Sequence, residues 1–301
     1  MRDYFVKYLL NLGSKNEDLI FLTADLGFGS FDEIFENFGH RAINCGICEQ
    51  LMTSMACGLT KVGKRVVTYS IGVFPTLRCL EQIRNDLCYH DSDVLISTTG
   101  AGFSYGALGM THHCIEDIGF TRSIPNLIIA SPASNFELKN ILEKWEDIKS
   151  PKYLRLDKSS TKREPKYTNK NELTFFYKKE KNAKKILIIH GAILSIFDEL
   201  DFESDLFKNL DIITMPSLNL NKSILNLIEK YKYIYTLEEH NLSTGFGSML
   251  IYFLNKNNIH KTIKCFGIKN QFIDVVGDQN YLRDLYIGKN TDILAEIQKD
   301  F

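Results

Sequence analysis

Four short clusters in this 301-residue chain carry side chains able to do chemistry. The first is Cys45-Gly-Ile-Cys48, followed at once by Glu49. Two thiols at that spacing ahead of a helix resemble a redox pair, because a helix N-terminus stabilises a thiolate; core packing of small, soft side chains is the plainer use. Glu49 falls in the first turn of a helix expected over residues 47–59. An acid there commonly serves the cap and the helix dipole, but it is also a carboxyl group able to handle a proton. The second cluster is His112-His113-Cys114. Adjacent residues point in different directions and no second cluster has zinc-like spacing, so no metal ion is expected there. The third is TTGAGFSYGALG, punctuated by Gly100, Gly102 and Gly106. Its spacing is not G-x-G-x-x-G and no G-x-S-x-G elbow occurs, which leaves a flexible backbone close to a ligand. The fourth comprises Tyr69 and Phe74 near a strand end, with Arg155 and Lys158 further on.

The elements that position these groups alternate. Strand-like runs at 19–23, 66–69, 94–97 and 127–130 are separated by helical patterns at 47–59, 77–87 and 135–145, which reads as an α/β domain with a parallel sheet over residues 1–157. KSSTKREPKYTNKNE, starting at Lys158, is almost devoid of apolar residues, and 158–177 is expected to be a linker with a strand near 173–177. Strands at 185–189, 211–215, 233–237 and 262–266, with helices at 223–230, 247–254 and 291–299, make a second, smaller α/β domain over 178–301.

Composition excludes several classes. Lys+Arg is 36 against 37 for Asp+Glu, so no basic excess recruits nucleic acid or an anionic membrane. No apolar run approaches the ~20 residues that cross a bilayer. No secretory leader is evident, and seven scattered cysteines do not suggest a disulfide framework, so a cytoplasmic protein is expected.

Gly46-Ile-Cys-Glu49-Gln, within GICEQLMTSMACGL, resembles the G-x-x-E-[QH] segment of transketolase-like, thiamine-diphosphate-dependent enzymes. Further pieces follow in the family's order. Phe74-Pro-Thr-Leu-Arg78 opens an F-x-x-x-R-x-x-x-Q-I-R-N stretch. Gly109-Met-Thr-His112-His113 runs on to Glu116-Asp117, and Arg122-Ser-Ile-Pro-Asn126 precedes Ala130-Ser-Pro132. Glu238-Glu239-His240-Asn241 and Gly245-Phe-Gly247-Ser248 close the series. The colinear match covers nearly the whole chain.

The resemblance implies a pyrimidine-binding domain joined to a transketolase C-terminal-like domain. It makes Glu49 the carboxyl bonded to N1′ of the cofactor's aminopyrimidine, where it promotes the imino form that deprotonates C2. It places Phe74, with Tyr69 as second candidate, on the pyrimidine face, and Arg78 in the cofactor-binding segment. His112, with His113 beside it, faces the substrate, and Lys158 lies where related enzymes bind the substrate phosphate. Two departures stand out. Leu108 replaces an acid expected four positions before His112, and Gly100 replaces a histidine expected twelve before it. Neither can contact sugar hydroxyls, so a smaller, less hydroxylated or differently posed substrate is expected. The family's G-D-G motif, which holds the diphosphate through a metal ion, is missing; Gly277-Asp278-Gln279 is not its equivalent. The resemblance therefore implies half of a split enzyme. An N-terminal subunit is expected to bring the diphosphate with Mg²⁺ or Ca²⁺, in an α2β2 assembly acting on a small sugar. The alternatives left open are the β subunit of a 2-oxoacid dehydrogenase or related decarboxylating enzyme, and a non-catalytic partner.

Overall fold

The computed structural model describes residues 1–299; positions 300 and 301, the end of the second expected domain, lie outside the described residues. An N-terminal helix, α1 (Arg2–Lys15), buries Phe5, Val6 and Leu9. The first sheet contains β1 (Leu19–Thr23), β2 (Ala42–Asn44), β3 (Arg65–Ile71), β4 (Val94–Thr99), β5 (Ile128–Ala130) and β6 (Lys152–Leu156). Its order is β2-β1-β3-β4-β6-β5 with every neighbouring pair parallel. All of β1, β4 and β6 is buried, as a sheet covered on both faces requires. Helices α2 (Asp32–Phe38) and α3 (Glu49–Lys61) follow β1 and β2.

The second sheet contains β7 (Tyr167–Asn169), β8 (Thr174–Lys178), β9 (Lys185–His190), β10 (Leu210–Thr214), β11 (Tyr233–Asn241) and β12 (Ile263–Ile268), in the order β12-β11-β9-β10-β8-β7. Pairings from β12 to β10 are parallel; β8 and β7 add an antiparallel edge. The two sheets share a core. Leu138 and Ile141 pack in one buried cluster with Phe175, Tyr177 and Leu187. Buried Glu137 sits in the same contact, accepting from the Ala133 amide (2.8 Å), the Tyr177 hydroxyl (2.7 Å) and the Thr214 hydroxyl.

Three expectations need correction. The helix expected over 77–87 is a composite: π-helical turns at Phe74–Arg78 and Ile83–Cys88 flank a single α-turn, Leu80–Gln82. The Thr76 hydroxyl and amide compete for the Gly72 carbonyl (2.6 and 3.4 Å), which loosens the α-helical ladder at its start. The stretch 158–177 does not run as a free connector. Arg163 donates to the carbonyls of Phe197 and Asp198 and lies 3.7 Å over the Phe202 ring, while β7 and β8 already belong to the second sheet. Most of its polar side chains are exposed, and Arg163, with the Thr161 hydroxyl on Asp198, ties the stretch to the second domain. The core-packing use of the two cysteines holds only for Cys45, which is half-buried against a core cluster; Cys48 is exposed at the cap of α3.

Candidate active site

Glu49 begins α3, directly after the Cys45–Cys48 turn, in which Gly46 has a φ of +73° that favours glycine. The side chain points inward and is 2% exposed. Its carboxylate accepts from Arg78 Nη1 at 2.6 Å, whereas the Arg78 side chain is 47% exposed. The π turn that carries Arg78 also carries Phe74, and the guanidinium carbon lies 5.0 Å from the centroid of that ring. The Phe74 ring meets His112 edge-on at 5.3 Å, and His112 stands 6.3 Å from Tyr105. Lys158 Nζ lies 3.5 Å over the Tyr105 ring. Glu49, Arg78, Phe74, His112, Tyr105 and Lys158 thus form one unbroken line of contacts at the C-terminal ends of the parallel strands, where open α/β sheets bind ligands.

The loop carrying Tyr105 and His112 is pinned from behind. Gly102 and Cys114 exchange backbone hydrogen bonds at 2.9 Å each. The Phe103 amide donates to Glu239 Oε1 at 2.6 Å, and the Ser104 hydroxyl donates to Asp157 at 2.7 Å. Glu239 also receives Arg283 and Gln279, so a helix near the C-terminus, Gln279–Tyr286, closes this network. Asp117 takes Arg155 Nε at 2.7 Å and the Tyr153 hydroxyl at 2.6 Å. Burial raises the Asp117 carboxyl most strongly of any single cause, but the Arg155 guanidinium, His240 and the Tyr153 hydroxyl together outweigh it and hold the carboxyl below the usual carboxylate range. His240 is neutral: its Nε2 accepts from the Ile118 amide and its Nδ1 donates to the Asn241 carbonyl, in keeping with burial pushing it down to about 4. Glu238 accepts from the Phe246 and Gly247 amides at the start of the helix Phe246–Lys256, and burial lifts it to about 7.

A transketolase pyrimidine-binding domain model matches residues 1–163, more than half the chain. The chain is 30% identical to a putative transketolase C-terminal section from Methanocaldococcus jannaschii, over 90% of this chain and 87% of that protein. The chain belongs to the transketolase family. It is also 28% identical to a subunit of the apulose-4-phosphate transketolase of Actinobacillus succinogenes, over 99% of this chain and 96% of that one. Among solved structures, the inactive β4 tetramer of a split-gene transketolase superposes with a TM-score of 0.81 at 27% identity, covering 99% and 96% of the two chains. Campylobacter jejuni transketolase shares the fold (TM-score 0.80, 19% identity), and this chain spans 46% of its length.

Within this transketolase-family chain, the expected site residues separate into two groups. Glu49, Arg78, Phe74, His112 and Lys158 converge. Tyr69 does not present a free face: it is 3% exposed, with its ring 4.2 Å from Phe31, and burial raises its hydroxyl. His113 turns away from His112. It is buried edge-on to Phe103, with Nε2 on the Gly106 carbonyl, and burial lowers its pKa. It lines a cavity of about 450 Å³ with Leu77, Met110, Phe120 and Phe272, between the two domains. Two residues were missed. Arg2 lines a small pocket with Lys158 and Thr99; nothing in the sequence ties helix α1 to that place. Tyr105 had a signal, an aromatic residue inside the glycine-rich segment. Gly100, at φ +93°, has its would-be Cβ position filled by the Tyr105 ring, so this site has no room for a histidine at position 100.

Among the described residues, no group of three or more His, Cys, Asp or Glu side chains is arranged to hold a metal ion, and no helix is long and apolar enough to cross a membrane.

Proposed function

We propose that this chain is the C-terminal subunit of a split transketolase-like enzyme that transfers a two-carbon ketol unit from a ketose phosphate to an aldose acceptor. It supplies the pyrimidine half of a thiamine diphosphate site. A second, N-terminal-type subunit supplies the diphosphate half with its Mg²⁺ or Ca²⁺, in an α2β2 assembly. The observation that carries this reading is the Glu49–Phe74 pair. A buried carboxylate and a half-buried ring are reached together by one planar guanidinium, so a flat nitrogen-bearing ring finds a hydrogen-bond partner and a stacking face in one place. Relatives matched over most of their own length are named as transketolase chains, which disfavours the 2-oxoacid dehydrogenase and the silent-partner alternatives.

Thiamine diphosphate, when bound, supplies a thiazolium carbon able to carry the two-carbon unit. Glu49 holds a proton against N1′ of the aminopyrimidine, and its burial keeps water from competing for that bond. Phe74 offers the stacking face. His112, its Nδ1 3.0 Å from the Thr111 hydroxyl and its ring braced by Phe74, presents the imidazole to a substrate oxygen. Lys158 and Arg2 bind the substrate phosphate through charge-assisted hydrogen bonds. Leu108 and Gly100 stand where polar sugar contacts are expected, which suits a less hydroxylated or differently posed ketose phosphate. All seven cysteines are unpaired, which suits the reducing cytoplasm.

The test is reconstitution. The chain alone is expected to show no ketol transfer, and to bind thiamine diphosphate only when assembled with a diphosphate-binding subunit. Turnover by the isolated chain would overturn the split-site reading.

A further inference from the structure

We propose that Arg78 is a built-in stand-in for the aminopyrimidine: its guanidinium engages both surfaces that the ring needs and competes with the cofactor for them. The inference rests on the reading of Glu49 and Phe74 given above.

Three observations carry it. Arg78 donates to Glu49 Oε2 at 2.6 Å, the group assigned to N1′. The same guanidinium lies 5.0 Å from the Phe74 centroid, over the ring assigned to stack on the pyrimidine. A guanidinium is planar, carries N–H donors in its plane and stacks on aromatic faces, and an aminopyrimidine shares each of those features. One side chain therefore engages both surfaces the cofactor needs. It also satisfies a carboxylate that would otherwise be buried with no other side-chain partner among the described residues.

The geometry is also that of a movable group. Glu49 is 2% exposed and fixed by the first turn of α3, while Arg78 is 47% exposed at the end of a π turn. Its backbone is held independently, since the Gln50 side chain donates to the Arg78 carbonyl at 3.2 Å. The side chain can swing into solvent without disturbing the turn. Arg78 thus acts as a positioning residue. It pairs with Glu49 and competes with the cofactor for one carboxylate oxygen and one ring face.

The sign of the effect distinguishes this role from direct cofactor binding. In the assembled complex, with Mg²⁺ present, the thiamine diphosphate dissociation constant is measured by fluorescence titration for wild type and Arg78→Met. A half-exposed ion pair is worth about 1 kcal/mol, so removing the competitor is expected to tighten binding roughly fivefold. The tightening is expected to vanish in a Glu49→Gln background, because Arg78 acts through that carboxylate. Weaker binding by Arg78→Met would show that Arg78 holds the cofactor, and unchanged binding would show that it does not compete; either overturns the proposal. If wild-type complex binds no thiamine diphosphate at all, the functional reading fails instead. Circular dichroism of Arg78→Met, matched to wild type, checks that the exposed substitution leaves the fold intact.

Discussion

Two sets of charged groups flank the loop from Gly100 to Cys114, and they are built on opposite principles. Behind the loop, between the domains, the main charges each hold several partners, although Asp117 Oδ1 accepts no hydrogen bond. Asp117 binds Arg155 and Tyr153; Glu239 binds Arg283, Gln279 and the Phe103 amide. In front, each group has one partner or a ring face: Glu49 has Arg78, His112 has Thr111, and Lys158 has the π face of Tyr105. Buried charges with several partners hold position, because losing the charged partner leaves a desolvated charge behind. Singly partnered charges at a rim can exchange that partner for a ligand. The motifs of the family divide along the same line. The Glu49, Phe74-to-Arg78 and His112 segments make the rim, whereas Asp117, Arg122 and Glu238-to-Asn241 make the seam. Arg122 shows it plainly, donating across the domains to the Gly245 carbonyl at 2.8 Å and the Ser248 hydroxyl at 3.1 Å.

The sharpest way to break the contrast is to remove one charge from each set. Glu49→Ala in the assembled enzyme is expected to lower ketol transfer by at least ~100-fold, the scale of losing a general acid–base group. Its urea midpoint should barely move, because the Arg78 left behind is half in solvent. Arg155→Met is expected to do the reverse. It strands buried Asp117 and should cost about 3–5 kcal/mol of stability, read from urea unfolding. A stable Arg155→Met protein, or a Glu49→Ala protein that unfolds, would collapse the distinction.

Titration sharpens the seam further. Glu238 is raised by burial to about 7, well above an ordinary carboxyl, so its folded form binds a proton more tightly than its unfolded form. That contribution is present below about pH 4.5 and is lost as pH rises through 7. His240, pushed down by burial to about 4, has the opposite sign: its contribution is present above about pH 6.5 and is lost as pH falls through 4. Glu238→Gln should therefore gain on wild type as pH rises from 4.5 to 7, and His240→Gln should gain on wild type as pH falls from 6.5 to 4. Urea midpoints across that range check both; parallel curves would mean that neither group titrates as its burial requires.

Much of the fold was legible because buried strands announce themselves as short apolar runs. β1 and the helix Asn135–Trp145 occur at their expected bounds, and the resemblance supplied the rim residues in order. What escaped depended on long-range contact. The strand expected at 233–237 continues to Asn241, and its polar end, Glu238-Glu239-His240, reads as a loop until the first domain is placed against it. β7 and Arg163 hide in a polar stretch for the same reason. Tyr69 and Phe74 look alike as aromatics near a strand end; only packing separates the ring spent on Phe31 from the ring left at the rim.

The smallest expected effect tests the contrast where its two sides come closest. Lys158 and Asp157 are chain neighbours, but Asp157 faces the seam, 3.6 Å from Arg283 Nη2, while Lys158 faces the rim beside Arg2. Lys158→Ala should raise the KM for a phosphorylated ketose roughly fivefold, the scale of one exposed ion pair, with kcat unchanged. Stability should not move, and a donor lacking the phosphate should not sense the substitution. Arg283→Met, a few ångströms deeper, should cost stability by stranding Glu239, while leaving the KM ratio between phosphorylated and unphosphorylated donors as in wild type. If that ratio changes with Arg283 and not with Lys158, the phosphate lies deeper than the rim. The boundary between holding groups and exchanging groups would then have to be drawn one layer further in.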